Sequence, residues 1–227
     1  VWEEILNRNI DFYKFLPAGM QNKLKEDIMV FISEKNFEGC GGLNMTDEVK
    51  ITVAAQAMIL FINRESSYYP KLISVLVYPS RYLVRGVRHS DGLVRDDVRL
   101  GESYSGGVVV LSWEDVIKDS KERESGENVA LHEFSHQLDQ EKGIANGMPV
   151  LENMDAYKEW ASVFQSEYDI LNKNMKARMN GAMKNYGMTN PAEFFAVATE
   201  LFFEKPLELK EKHERLYFSY YKKKSIC

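Results

Sequence analysis

Leu131-His132-Glu133-Phe134-Ser135-His136-Gln137-Leu138 is an H-E-x-x-H motif set inside an apolar run with helical spacing. A helix advances about 100° per residue, so positions four apart return to nearly the same face. His132 and His136 can therefore aim two imidazoles at one metal ion. Glu133 lies beside that face, where a carboxylate reaches a water on the same ion. The plain alternative is a chance pair of histidines on a solvated helix. Val129, Ala130, Phe134 and Leu138 speak against it, because they make the helix a packed one. Buried imidazoles and a buried carboxylate need partners, and a metal ion supplies one.

A catalytic zinc usually takes three protein ligands and keeps one position for water. Of the other two histidines, His89 falls in a charged loop and His213 in a charged helix near the C-terminus, and both read as surface residues. An acidic third ligand fits better. Glu193 and Glu200 stand seven apart in an otherwise apolar helix and share a face, which places two carboxylates on a side expected to be buried. Glu193 also has a purely local reading, since Asn190-Pro191-Ala192-Glu193 matches a capping box with proline at the first helical position. Glu200 cannot cap this helix and is either a ligand or a partner to a ligand imidazole. Spacing alone leaves cap and ligand open for Glu193. Asp139, one turn beyond His136, is expected to orient a ligand imidazole from behind.

The 227 residues are 44% hydrophobic with a net charge of −5, enough for one sizeable core, and no long basic run invites nucleic acid. Lys222-Lys223-Lys224 is a short solvated tail. Cys40 and Cys227 form no disulfide framework, which fits a reducing, cytoplasmic compartment. The most apolar run, 49–62, is too short to span a bilayer and carries Lys50 and Gln56. The chain begins at Val1 rather than Met, so a membrane anchor has room only in a segment preceding it.

Along the chain, 2–37 is patterned as helix broken at Pro17, and Thr46-Asp47-Glu48 opens a second, deeply buried helix. Strands are expected at 72–78, at 82–87 and, most clearly, at 108–112, with 85–97 a surface hairpin or loop. Helices are expected at 113–121, from about 126 through the motif, at 155–179, from 191 to about 203, and from Pro206 onward. Strands followed by mostly helices predict an α+β fold. No linker or repeat interrupts it, so one domain is expected over 1–227. It divides into a helical part to about 66, a catalytic core at about 67–204 and a C-terminal helix at about 206–224. Val108–Leu111, just ahead of the motif helix, is placed to act as an edge strand for an extended peptide.

Several separated stretches occur in one order: Leu43-x-x-Thr46-Asp47-Glu48 with Ala54-Ala55-Gln56-Ala57, Val77-Tyr78-Pro79, and Gly101-Glu102-Ser103 with Leu111-Ser112-Trp113. They continue through His132-Glu133-Phe134-x-His136-x-Leu138-Asp139 to Asn190-Pro191-Ala192-Glu193-Phe194-Phe195-Ala196-Val197. Over nearly its whole length the chain resembles the Mlc titration factor A family of zinc metallopeptidases. Tyr186-x₆-Glu193-Phe194-Phe195-Ala196 is also similar to the catalytic domain of anthrax lethal factor, in which the Glu before Phe-Phe-Ala is the third zinc ligand and a Tyr seven residues earlier assists catalysis. The resemblance implies a zincin-like fold, mostly helical, with a small mixed sheet beside the active-site helix. It implies Zn²⁺ held by His132, His136 and Glu193, with Glu133 as general base and Tyr186 as an oxyanion or leaving-group helper. The implied substrate is a peptide or protein, with an aminopeptidase-like activity linked to regulation of sugar uptake. The implied partner is the glucose-regulatory repressor Mlc, for which no motif here carries a contact. The rival reading is a regulatory protein-binding module with a secondary zinc site. Glu133 beside the ligands, with no fourth Cys or His nearby, argues against a purely structural ion.

Overall fold

Two N-terminal helices, α1 (Trp2–Asn9) and α2 (Ala18–Glu34), are separated by a 3₁₀ turn over Asp11–Phe15 that ends ahead of Pro17. The structure is a computed structural model and describes residues 1–62, 68–88, 92–122, 125–176 and 190–222. The helical pattern expected to reach residue 37 stops at Glu34, and Asn36–Gly39 forms strand β1. Four residues are too few to show alternation. They become a strand because the edge of β2 (Ser74–Tyr78) offers parallel backbone partners, Asn36 to Ser74 through Gly39 to Val77.

Helix α3 (Asp47–Ile59) starts where Thr46 Oγ1 accepts the backbone N–H of Val49. Its residues from Ile51 to Ile59 are all buried, as a sequence apolar on nearly all sides requires, and Thr52 and Gln56 are the polar residues among them. The β3 (Tyr82–Arg88) and β4 (Val94–Arg99) strands pair antiparallel as a separate ribbon, the surface hairpin expected there. Next come β5 (Gly101–Tyr104) and β6 (Val108–Ser112). The main sheet has the order β1-β2-β6-β5 and is mixed: β6 runs parallel to β2 and antiparallel to β5.

This order corrects one expectation. The Val108–Ser112 strand lies inside the sheet, paired on both sides, so it offers no edge to a peptide. The edge on the motif-helix side is β5. Val109 and Leu111 are fully buried, and a strand covered on both faces reads as a continuous apolar run whether or not it stands at an edge.

Helices α4 (Trp113–Asp119) and α5 (Val129–Asp139) follow, then α6 (Met154–Lys176) and α7 (Pro191–Glu204). The C-terminal helix expected from Pro206 is two, α8 (Pro206–Lys212) and α9 (Glu214–Lys222), broken at His213. His213 is buried rather than on the surface, with Nδ1 2.8 Å from Oε2 of Glu167 on α6. His89 lies outside the described residues.

Trp160 and Phe164 of α6 pack against the aromatic side of α7, with Phe164 and Phe194 centroids 4.7 Å apart. Phe134 of α5 meets Phe31 and Tyr69 at 5.9 and 5.4 Å. The motif helix is thus clamped between α3 and α7 with β5 across its flank, an α+β arrangement of zincin type. Among the described residues no helix is long and apolar enough to cross a membrane.

Candidate metal centre

The N-terminus of α5 is built before its motif is reached. Asn128 caps it through Oδ1, which accepts the N–H of Leu131 at 3.0 Å. The N–H of Asn128 goes to Glu200 Oε2 at 2.8 Å, and that of Val129 to Asp119 Oδ2 at 3.0 Å. The Asn128 amide also reaches Gln56 on α3 and Glu204 on α7. One asparagine therefore ties together the three helices around the site, and the N–H groups of Asn128, Val129 and Leu131 at the helix end are satisfied by side chains. Its cap position was readable from Asn128 preceding an apolar run, and Gln56 from being polar in an all-round apolar helix. Their contact, 72 residues apart in sequence, was not readable.

Every residue of α5 except His132 is buried, and His132 is only slightly open. The i, i+4 spacing brings Nε2 of His132 and Nε2 of His136 to 3.2 Å. Glu193, from the first turn of α7, completes the group. Its Oε2 lies 3.2 Å from His132 Nε2 and its Oε1 3.4 Å from His136 Nε2. The choice between cap and ligand dissolves here: Asn190 Oδ1 accepts the backbone N–H of Glu193 at 3.0 Å, while the Glu193 side chain turns to the imidazoles.

These three side chains fit a metal ion. Donor atoms about 2.0 Å from a tetrahedral zinc lie about 3.3 Å from one another; the two imidazole nitrogens are 3.2 Å apart, and one donor atom from each of the three residues lies within 4.8 Å of the others. Among the described residues, His132, His136 and Glu193 form a group of His, Cys, Asp or Glu able to hold an ion. The electrostatics agree. Burial works against charge on His132, but the carboxylates of Glu193 and Glu200 outweigh it and raise its pKa to about 10. Burial would raise Glu193, yet hydrogen bonds from the two imidazoles pull it down to about 2.

Glu200 meets the other nitrogen of His132: Oε1 is 2.6 Å from Nδ1. Glu133 lies against the cluster, 8% exposed, with its pKa pushed up to about 7 by burial despite the opposing pull of His132 and His136. Asp139 acts on His136 through charge, while its hydrogen bonds go to the backbone. It is fully buried, and its oxygens accept the N–H groups of Gly147 and Met148 at 2.8 and 2.9 Å, pinning the turn after the motif helix. The acid one turn past His136 faces the C-terminal end of α5, where the returning chain presents free donors. Tyr186 lies outside the described residues. Gln137 binds α5 to β5 through Ser103 Oγ at 2.7 Å and the Tyr104 carbonyl at 3.1 Å. Beside His132 and Glu133 opens a cleft of about 580 Å³, walled by Val129, Val197, Leu100 and Gly101.

The family model for the glucose-regulated metallo-peptidase M90 matches residues 1–222. The chain belongs to this family. Among its relatives, the uncharacterized protein slr2042 of Synechocystis sp. (strain ATCC 27184 / PCC 6803 / Kazusa) is 41% identical over 220 residues, covering 95% of this chain and 80% of that protein. Mlc titration factor A of Yersinia pestis (strain Pestoides F) is 30% identical over 221 residues, 95% of this chain and 80% of the relative. Membership of the M90 family accords with a metallopeptidase-like role and with a metal ion, typically zinc, at the histidine–glutamate cluster.

Proposed function

We propose that the protein is a zinc-dependent peptidase that hydrolyses peptide bonds with Glu133 as general base. The observation that carries this reading is the convergence of His132 Nε2, His136 Nε2 and Glu193 at 3.2 to 3.4 Å beside a buried carboxylate. Zinc held by the three side chains would supply a Lewis acid that lowers the pKa of a water towards about 7 and polarises the scissile carbonyl. Glu133 accepts the proton of the attacking water and passes it to the leaving amine. Burial raises the proton affinity of this carboxyl, which suits a group that must take up a proton. Glu200 accepts the Nδ1–H of His132, leaving the Nε2 lone pair directed at the centre. Tyr186 is carried over by resemblance as the donor that stabilises the developing oxyanion. The free edge of β5, rather than β6, is where an extended substrate would pair with the sheet.

A second reading makes the chain a regulatory binding module with the zinc site secondary. It draws on the name of the Yersinia relatives, Mlc titration factor A, and would give this chain a repressor partner, a link to sugar uptake and a place in the cytoplasm. Glu133→Gln decides between them. The amide keeps the size of the side chain but cannot take the proton, so the peptidase reading expects zinc retained and peptide hydrolysis lost. Wild-type cleavage by this variant removes Glu133 as the base. A full biological effect without cleavage favours the module. Assaying free amino termini against blocked peptides tests the aminopeptidase-like preference.

A further inference from the structure

Gly101, the first residue of the edge strand β5, stands directly against the motif helix. A methyl group built there would stand 2.7 Å from Cγ and 2.9 Å from Oε1 of Glu133, and 2.9 Å from Cγ2 of Val129. No side chain fits at such distances without displacing a neighbour. Gly101 is not among the glycines with positive φ, so it is required by space and not by backbone conformation. It pairs with Leu111 of the interior strand β6, and Ser112 N–H donates to the Leu100 carbonyl just before it at 2.7 Å. On the helix side Gln137 ties α5 to the same strand. Strand and helix are thus each fastened. Of the groups in the gap, the Glu133 side chain is the longest and the easiest to move.

We propose that Gly101 is a positioning residue for Glu133: the missing Cβ at the start of β5 leaves the space in which the general-base carboxylate stands beside the metal cluster. This rests on the reading of Glu133 as the base, but the contact itself does not. A side chain at 101 would turn Glu133 away from the water it must deprotonate. The three atoms nearest the added group belong to Glu133 and Val129 and none to His132, His136 or Glu193, so the first displacement falls on the base and not on the metal-binding side chains. A displacement of about 1 Å at a catalytic group lowers rate on the order of 10²-fold.

The experiment is a double-mutant cycle on the zinc-loaded protein, read by peptide hydrolysis, zinc content and denaturant midpoint. Gly101→Ala is expected to lower kcat on the order of 10²-fold with KM and zinc content near wild type. It should also lower the denaturant midpoint in the wild-type background and lower it clearly less in a Glu133→Ala background, where the two Glu133 contacts are gone and only that with Val129 Cγ2 remains. The midpoint arm needs no hydrolysis, so it reads the contact even if the wild type cleaves nothing and the peptidase reading fails. If Gly101→Ala alone does not fold, folding restored by Glu133→Ala supports the assignment, and failure of both variants overturns it. Unchanged hydrolysis in an active protein, loss of zinc, an equal midpoint drop in both backgrounds, or recovery of hydrolysis by Val129→Ala would each overturn it.

Discussion

Oε1 of Glu200 lies 2.6 Å from Nδ1 of His132, while the opposite nitrogen of the same ring faces Glu193 and His136. A ring held this way keeps one orientation: Glu200 takes the Nδ1–H, and a metal that displaces the Nε2 proton would meet the one lone pair of the neutral ring. The other oxygen of Glu200 accepts the Asn128 N–H at 2.8 Å, so the carboxylate is itself fixed by the start of the helix it serves.

Glu200→Gln should therefore weaken zinc without removing a ligand. The amide can still accept from one donor, but it supplies no charge to the imidazole, and metal affinity is expected to fall about 10- to 100-fold. Competition with a chelator of known affinity measures this. An unchanged affinity would mean that Nδ1 needs no anionic partner.

Asp139→Asn should act on stability more than on the metal cluster. The carboxylate accepts two backbone N–H groups in a fully buried position, and an amide can accept only one while turning its NH₂ towards the other. A buried donor left without a partner costs roughly 1–3 kcal/mol. Chemical denaturation of the zinc-free protein reads that loss. A large drop in zinc affinity with stability intact would return Asp139 to the imidazoles.

Asp119 predicts a pH effect of definite sign. Burial raises its carboxyl from the ordinary value of 3.8 to about 6, with the Val129 N–H opposing the shift. A raised folded-state pKa means that the fold favours the protonated acid. This contribution to stability is complete below about pH 4 and is lost as pH rises through about 6. Asp119→Asn keeps an acceptor for Val129 and does not titrate. In the metal-free protein its stability relative to wild type should increase between pH 4 and pH 6 and then level off. Parallel curves would show an unperturbed carboxyl.

Tyr186→Phe tests the residue carried over by resemblance. If the hydroxyl meets only developing charge, kcat and kcat/KM should fall together, on the order of 10²-fold, with zinc content and thermal stability near wild type. A raised KM with kcat intact would assign the hydroxyl to substrate binding instead.

What the sequence determined by itself is local. The i, i+4 return of a helix puts His132 and His136 on one face whatever surrounds them. Asn128, Thr46 and Asn190 cap helices because a short polar side chain reaches the backbone three residues on. The buried core of α3 and the β3–β4 hairpin were legible for the same reason, from periodicity and punctuation. Motif order along the chain also pointed to the family. Only the tertiary structure decided which distant group each side chain meets. Glu193 turns to the imidazoles while Asn190 does the capping, Glu200 crosses 68 residues of sequence to His132, and Asp139 accepts the backbone N–H of Gly147 in the turn after the helix. Val108–Ser112 became an interior strand because Gly101–Tyr104 paired along one side and Ser74–Tyr78 along the other, and apolar composition cannot tell an interior strand from a covered edge. His213 lay in a charged segment yet went inside, because Glu167 from α6 was there to meet it. Periodicity fixes which face of an element a residue occupies, whereas the partner on the far side of that face is chosen by packing between elements that are remote in sequence.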